Sequence, residues 1–167
     1  LYGLDTPKDI HQDKKNILNE LKLQSSQRLL FVGEALRQGS SPEEIQSITK
    51  YDKWFIDQIQ YLVNLERIIS EEGLEKNIIL IAKKNGFSDS KIASILNTNE
   101  SSVRIFRENN EIKPVFRLVD TCAGEFNSKT PYLYSTYDWE FENFKFCESK
   151  PTNNNKVIIL GGGPNRI

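Results

Sequence analysis

The sequence predicts a mainly all-α protein with two similar helical subdomains, followed by an irregular aromatic segment and one C-terminal β-strand. Three observations support this prediction. Apolar residues recur at helical spacing through residues 1–110, a repeat of 47 residues runs through that region, and helical periodicity ends after Pro114. The chain has 167 residues, of which 38% are hydrophobic and 27% charged, which is typical of a soluble globular protein.

The first two helices are predicted from their apolar faces. A first helix is expected to begin near Pro7 and Asp9. Its inward face carries Ile10, Ile17, Leu18 and Leu21. A second helix is expected over about residues 26–38, with Gly39 as the residue that ends it. The inward side chains of the second helix are Leu29, Val32, Ala35 and Leu36.

The next helices are predicted from their caps. Ser41 is followed by Pro42 at the first helical position and by Glu44 three residues after the serine, which indicates a helix start. Asp52 caps a longer helix that ends near Gly73. Its predicted inward residues are Phe55, Ile59, Leu62, Val63 and Ile69. Residues 76–84 form another helix closed by Gly86, and the last two helices are capped by Ser88 and Asn99.

A repeat relates the two halves of the helical region, with the 47-residue offset that separates Ser41 from Ser88. The other pairs in this register are Ala35 with Ala82, Gly39 with Gly86, Ile45 with Ile92, Ser47 with Ser94, Ile48 with Ile95, Asp52 with Asn99, Ile56 with Val103 and Ile59 with Phe106. Convergent helical patterning would reproduce part of this agreement. Because helix stops, caps and apolar positions agree together, we favour duplication, with copies over about residues 28–73 and 75–112.

Residues 113–150 form the predicted aromatic segment. Its aromatic residues are Phe116, Phe126, Tyr132, Tyr134, Tyr137, Trp139, Phe141, Phe144 and Phe146. The segment lacks helical spacing, so we expect an irregular strap over another surface. That surface is either the two helical subdomains or a part of a larger protein, and both alternatives remain open here. The helical domain is assigned to residues 1–150, and residues 151–155 are predicted to form a flexible linker after it.

Residues 156–160 are predicted to form a buried strand that runs into a glycine loop. A strand that is apolar on both faces needs neighbours on both sides, so its partners are expected beyond Ile167. The chain also contains no methionine and begins at Leu1. We therefore interpret it as a piece of a larger protein, with residues 156–167 opening a following α/β domain.

The glycine loop is the first of two candidate binding sites. Glycines after a strand allow backbone N–H groups to approach a phosphate when a helix follows. The candidate residues are Gly161, Gly162, Gly163, Asn165 and Arg166. Arg166 stands where the dinucleotide fingerprint requires its third glycine, so that fingerprint is not met.

The remaining composition predicts no catalytic residue and no metal site. The single histidine, His11, lies in a polar stretch where we expect it to be solvated. Cys122 and Cys147 match neither a metal-ligand spacing nor a disulfide framework, and Cys122 is expected to be a buried structural thiol. A net charge of −1 argues against nucleic acid or an anionic membrane as a partner.

An alternative function is a helix-turn-helix DNA-binding module at residues 86–107. A capped helix, a turn and a second helix occur there in order. The residues expected to face the groove are Glu100, Ser101, Ser102 and Arg104. The same pattern is satisfied by a plain helical hairpin. The net charge and the acidic residues of the matching first copy favour the hairpin.

Five segments of the chain resemble a known family in their order and spacing. They are Tyr51–Phe55, Gly86–Asp89, Val119–Phe126, Thr130–Tyr137 and Val157–Ile167. This arrangement resembles the large chain of carbamoyl-phosphate synthase, in the helical connection or oligomerization domain between its two synthetase halves. The resemblance covers about residues 15–167. Gly124 departs from it, since the family usually has alanine there.

The resemblance implies a role within a longer cytoplasmic enzyme, with mitochondrial or chloroplast targeting of the parent left open. The parent is an ATP-dependent ligase that makes carbamoyl phosphate from bicarbonate, glutamine-derived ammonia and two ATP, for pyrimidine or arginine biosynthesis. Its ATP and Mg (or Mn) would be bound by the two ATP-grasp halves. The resemblance also implies self-association and a glutaminase subunit or domain as a partner.

The resemblance carries no catalytic role to this segment. None of its matched positions is an ATP-grasp residue, so the fragment itself is expected to be non-catalytic and to hold no cofactor. Residues 156–167 would be the first strand and glycine loop of the second synthetase half.

Overall fold

The fold was analysed in a computed structural model of the chain. The structure describes residues 4–5, 13–127, 132–137, 140–141, 144–145 and 147–161. It divides into two compact units, Leu1–Lys113 and Pro114–Ile167.

The first unit contains seven α-helices among its described residues. They are α1 (Lys14–Glu20), α2 (Arg28–Arg37), α3 (Pro42–Thr49), α4 (Lys53–Glu72), α5 (Lys76–Lys84), α6 (Asp89–Ile95) and α7 (Glu100–Asn109). The long helix α4 contacts α2, α3, α5 and α6, so it links the two halves of the unit. The prediction of a mainly all-α protein is confirmed.

The repeat is confirmed at the helix ends. Gly39 and Gly86 both adopt positive φ angles, of 80° and 85°, just after α2 and α5. Each is followed by an N–H that reaches back to a carbonyl five residues earlier, which is the Schellman pattern. These bonds run from Ser40 N to Ala35 O at 2.9 Å and from Phe87 N to Ala82 O at 3.0 Å.

The caps of the two copies match as well. The Ser41 hydroxyl accepts from the N–H three residues later at 3.1 Å, and the Ser88 hydroxyl does the same at 3.0 Å. Asp52 and Asn99 cap α4 and α7 with their side chains. The left-handed backbone also recurs at the offset of 47, at Lys50 and Asn97, where neither residue is a glycine that would have predicted it.

The core of each copy is built from the matched apolar positions. The pairs that are fully buried in both copies are Val32 and Ile79, Ala35 and Ala82, Ile45 and Ile92, and Ile56 and Val103. Ile17 and Leu21 of the α1 region join the core of the first copy. Burial at equivalent positions of both copies supports the duplication predicted from the sequence.

Helix α1 begins at Lys14 behind a side-chain cap from Asp13, and the expected start near Pro7 and Asp9 lies outside the described residues. Two predicted inward residues were wrong. Leu29 and Phe55 are 46% and 58% exposed instead of buried. The next residues along the chain that are buried in the core are Phe31 in α2 and Ile56 in α4. The other predicted core residues of these helices that are buried are Val32, Ala35 and Leu36 in α2 and Ile59 and Ile69 in α4, so the predicted faces are correct except at single positions that apolar spacing alone does not fix.

The second unit contains strand pairs in the segment predicted to be irregular. Strand β1 (Val115–Leu118) pairs antiparallel with β2 (Leu133–Thr136), and β3 (Glu140–Phe141) pairs with β4 (Phe144–Lys145). The aromatic and β-branched residues of this segment favour such pairing. Four of its aromatic side chains are exposed by 40–74%: Phe116, Phe126, Tyr132 and Tyr134.

The strand predicted at residues 156–160 is not formed. Residues 155–161 have no regular secondary structure, and the side chains of residues 157–160 are 84–92% exposed. A strand requires hydrogen-bonding neighbours, and the described part of the chain supplies none to this segment. The apolar run is therefore an extended, uncovered segment in this structure.

Candidate functional site

A group of charged residues in the helical unit joins both repeat copies to the start of the described chain. We call it the N-terminal anchor, and it consists of Leu4, Asp5, Arg37, Glu66 and Lys91. Arg37 lies at the end of α2, Glu66 in α4 and Lys91 in α6. The anchor therefore combines side chains from both copies with a pair of residues that precedes them.

Glu66 is the centre of the anchor. The Arg37 guanidinium donates Nε to Glu66 Oε2 at 2.8 Å and Nη2 to Glu66 Oε1 at 2.9 Å. Such a two-pronged pair has fixed geometry and is stronger than a single hydrogen bond. Lys91 Nζ lies 3.1 Å from Glu66 Oε1. One carboxylate thus holds a cation from each copy.

The same two cations hold the chain at Leu4 and Asp5. Lys91 Nζ donates to Asp5 Oδ1, and Arg37 Nη2 lies 3.8 Å from the same oxygen. Arg37 Nη1 also donates to the Leu4 carbonyl at 3.2 Å. The Leu4–Asp5 pair is therefore fixed by both its backbone and its carboxylate.

Gly33 of α2 provides the surface on which Leu4 lies. A Cβ built on Gly33 would lie 3.5 Å from both Cβ and O of Leu4. The glycine costs helix stability, about 0.5–1 kcal/mol relative to alanine. A Cβ at 3.5 Å makes ordinary van der Waals contact, so Leu4 lies close to α2 but leaves room for an alanine side chain.

Burial and pairing set the charge states of the anchor. Burial by itself raises the pKa of the Glu66 carboxyl, but hydrogen bonds and charges from Arg37 and Lys91 outweigh it, so this pKa lies below its usual value. Burial by itself lowers the pKa of Arg37, and Glu66 with the other nearby carboxylates raises it above its usual value. The pairing therefore favours the charged forms of Glu66 and Arg37.

A second charged cluster lies wholly within the second copy. Asp89 accepts from Lys83 Nζ at 2.9 Å and from Arg107 Nη2 at 2.9 Å, and all three side chains are at most 12% exposed. Burial alone raises the pKa of Asp89, but the bonds from Arg107 and Lys83 bring it below its usual value. At the 47-residue offset, the first copy has Pro42, Leu36 and Gln60 instead. The charged cluster is therefore present in the second copy only, and the first copy has uncharged residues at the equivalent positions.

The predicted loop site lies mostly outside the described residues. Gly161 is exposed and has no regular structure, while Gly162, Gly163, Asn165 and Arg166 are among the residues that are not described. The phosphate-site prediction therefore stays a prediction. His11 also lies outside the described residues. Cys122, expected to be buried, is only partly buried, and Cys147 is exposed.

The helix-turn-helix alternative is not supported. Residues 89–95 and 100–109 form a helical hairpin, as both readings required. Arg104 pairs with Glu100 on the same helix at 3.2 Å, and Arg107 is turned inward onto Asp89. The supposed reading helix therefore presents few cations for phosphate contacts.

Within the described residues, no group of three or more histidine, cysteine, aspartate or glutamate side chains could hold a metal ion. None of the described helices has the length and apolar character that crossing a membrane requires.

Sequence reasoning missed both charged clusters. Asp5 and Lys91 are far apart in sequence, and nothing in the local pattern around either residue indicates the other. The Asp89 cluster did leave a signal. The repeat aligns Asp89 with Pro42 at a helix start. The caps before these residues match in the two copies, so a charge in only one copy is a signal that Asp89 has a specific partner.

Comparison with known proteins identifies related chains. The family model for the oligomerisation domain of the carbamoyl-phosphate synthetase large chain matches residues 1–111. A carbamoyl phosphate synthase large chain from Xanthomonas campestris pv. campestris is 40% identical over 99% of this chain and 15% of its own length. Those of Neisseria meningitidis serogroup B and Vibrio cholerae serotype O1 are 44% and 39% identical, over 93% and 99% of this chain. The chain spans about 15% of the length of these curated relatives.

Proposed function

The chain belongs to the carbamoyl-phosphate synthetase large-chain family, as its oligomerisation domain, and from this premise we propose that it is a non-catalytic helical connector. Its partners would be the two synthetase halves that flank it in a longer chain. The proposal is supported by the lengths of the relatives, of which this segment matches only about 15%. It is also supported by the N-terminal anchor, which ties one end of the helical unit to both copies.

The activity proposed for the longer protein is that of an ATP-dependent ligase. It would make carbamoyl phosphate from bicarbonate, ammonia released from glutamine and two ATP. The names of the relatives support the product. ATP and Mg (or Mn) would be bound by the flanking halves, a glutaminase would supply the ammonia, and the protein would work in the cytoplasm for pyrimidine or arginine biosynthesis.

The anchor is the single observation that most favours a connecting role. A joint between two moving parts transmits position only if its own pieces keep their arrangement. Arg37 and Lys91 hold Leu4–Asp5 through partly buried, charge-paired contacts to both copies. The proposed joint would therefore move as one piece with the chain that leads into it.

The apolar run at residues 157–160 supports the proposal that a further domain follows this segment in the longer protein. Its side chains are almost fully exposed, and a run of four large aliphatic residues is costly to keep in water. Partner strands supplied by a following α/β domain would cover it. In that arrangement residues 156–167 would be the first strand and the glycine loop of the second half.

Calorimetry with MgATP tests the non-catalytic role. Titration into the 167-residue chain should give no heat of binding up to about 1 mM nucleotide, because the connector supplies no complete nucleotide site. Stoichiometric binding with a micromolar Kd would contradict the proposal. The Arg166→Ala variant is the control: if heat appears and this variant abolishes it, the glycine loop is itself the nucleotide site.

A further inference from the structure

Strand β1 of the second unit has an outer edge, on the side away from β2. Successive backbone N–H groups of a strand point to opposite edges. The Val119 N–H donates to the Tyr132 carbonyl at 2.9 Å on the β2 side, so the N–H groups of Leu118 and Phe116 point to the outer edge. Backbone groups on such an edge need partners other than the sheet itself.

Cys147 and Glu148 occupy this outer edge. The Glu148 N–H donates to the Phe116 carbonyl at 2.8 Å, as a residue of a neighbouring strand would. Glu148 Oε2 accepts from the Leu118 N–H at 2.7 Å, and Cys147 Sγ accepts from the Phe116 N–H at 3.4 Å. A hydrogen bond from a backbone N–H to a carboxylate is charge-assisted and stronger than a neutral one. We call Phe116, Leu118, Cys147 and Glu148 the exit clamp.

The exit clamp uses side chains because the backbone does not continue as a strand. Pro151 has no N–H and cannot extend a ladder of hydrogen bonds. Lys150, which precedes it, has a φ angle of 38°, whereas a residue before proline is normally extended. A left-handed backbone at a residue other than glycine persists only where its surroundings hold it. The chain therefore turns away from β1 at a defined residue, two positions after Glu148.

The position of this turn limits where the following residues can lie. Val157, the first residue of the apolar run, is seven positions after Lys150 and so lies at most about 25 Å from it. If Cys147 and Glu148 were released, the preceding strand residue would be Lys145 at the end of β4, twelve positions before Val157. The reach from that residue is about 42 Å.

We propose that Glu148 is the positioning residue that fixes the point from which the chain enters the following synthetase half. The inference deepens the proposed function and rests on it, because the following half is part of that proposal. The effective concentration of a tethered partner falls with tether length at the −3/2 power or more steeply, so release of the clamp should lower it about two- to fivefold. Glu148 acts through the placement of the chain and touches no reacting atom.

Hydrogen exchange in the full-length protein tests the clamp. Mass spectrometry with electron-transfer fragmentation resolves single amides, and the N–H groups of Leu118 and Val119 report on opposite edges of β1. Glu148→Ala should speed exchange at Leu118 at least about tenfold and leave Val119 within about twofold. Glu148→Gln keeps an acceptor oxygen at the same reach and should restore most of the protection. Glu108→Ala makes the same change at an exposed glutamate of α7 and should alter neither amide.

Rates measured on the same full-length variants test the positioning role. Glu148→Ala should lower the rate of complete carbamoyl phosphate synthesis about two- to fivefold. Bicarbonate-dependent ATP hydrolysis and ATP formation from ADP and carbamoyl phosphate should keep their wild-type rates, because in the proposed function each uses only one half. Glu148→Gln should restore complete synthesis, and Glu108→Ala should leave all three rates unchanged.

The outcomes separate this inference from the proposed function. Unchanged exchange at Leu118 in Glu148→Ala would show that the clamp does not form. Equal acceleration at Leu118 and Val119, or a Glu148→Gln protein that behaves like Glu148→Ala, would overturn a specific role for the acceptor oxygen. Selective release of Leu118 with unchanged complete synthesis would overturn the positioning role alone. The connector role would then stand or fall on Glu66→Gln, which acts in the helical unit and leaves the exit clamp in place.

Discussion

Lys91 Nζ lies 3.1 Å from Glu66 Oε1, and this ion pair joins α6 of the second repeat copy to α4. On its other side the same carboxylate receives Arg37 of α2 in a two-pronged pair. Glu66 is therefore one point at which the two copies meet. Because Arg37 and Lys91 also hold Asp5, the copies and the incoming chain share one charged centre.

Glu66→Gln should destabilise the helical unit substantially. The change leaves Arg37 and Lys91 facing a neutral amide in a mostly buried site, and we expect a loss of about 2–3 kcal/mol in the free energy of unfolding. Urea unfolding followed by circular dichroism measures it. Glu71→Gln is the control, because that residue forms an exposed pair with Arg67 on the same helix and should cost less than about 0.5 kcal/mol. Equal effects of the two changes would contradict the assignment of Glu66 as the centre.

Substitutions at Gly33 should separate packing of the N-terminal pair from helix stability. An alanine Cβ would make ordinary contacts with Leu4 at 3.5 Å, so Gly33→Ala should be neutral or stabilising by up to about 1 kcal/mol. Gly33→Leu should displace Leu4 and Asp5. The measurement is the cost of Asp5→Asn in each background. It should be about 0.5–1 kcal/mol with alanine and near zero with leucine. The same cost in both backgrounds would show that Leu4 does not lie on α2.

Much of the fold could be predicted from the sequence because caps and glycine stops act locally. Ser41, Asp52, Ser88 and Asn99 each satisfy backbone N–H groups within a few residues, so their role is visible without the tertiary structure. The orientation of a helix is a tertiary property. Apolar spacing predicts Phe55 on the inward face of α4, whereas Ile56, the next residue, is the one that is buried.

The charged clusters could not be predicted from local sequence patterns. Asp5 and Lys91 meet only after both copies have folded, and each alone resembles an ordinary surface charge. The strand at residues 156–160 stays a prediction, because its expected partner strands lie beyond Ile167. Its residues have strong strand propensity, but pairing depends on neighbours that the described residues do not provide.

Replacing Asp89 alone should lower the free energy of unfolding more than replacing Asp89, Lys83 and Arg107 together. Asp89→Ala leaves Lys83 and Arg107 buried without their carboxylate, and should cost about 3–5 kcal/mol. Replacing all three residues by their first-copy equivalents, as Asp89→Pro, Lys83→Leu and Arg107→Gln, should recover most of that loss. Chemical unfolding of the two variants provides the comparison. A triple variant less stable than Asp89→Ala would show that the two copies are not interchangeable at this position.

Stability should fall in acid because two paired carboxyls must take up protons. The folded-state pKa values of Glu66 and Asp89 lie below their ordinary values of 4.5 and 3.8. Their contribution is therefore complete above those ordinary values and is lost as the pH falls through the lowered ones. The free energy of unfolding should decline from about pH 5 downwards. A variant with Glu66→Gln and Asp89→Asn should show a shallower decline, and an unchanged slope would exclude these carboxyls as the cause.

The central claim is that this chain joins two catalytic halves and performs no chemistry itself. Its most direct test uses the full-length protein with Glu66→Gln and compares three rates: bicarbonate-dependent ATP hydrolysis, ATP formation from ADP and carbamoyl phosphate, and complete synthesis of carbamoyl phosphate. We predict that the two partial reactions stay within about twofold of the wild type, while complete synthesis falls about tenfold because the halves lose their fixed relation. Loss of either partial reaction to the same extent as complete synthesis, or an unchanged rate of complete synthesis, would contradict the claim.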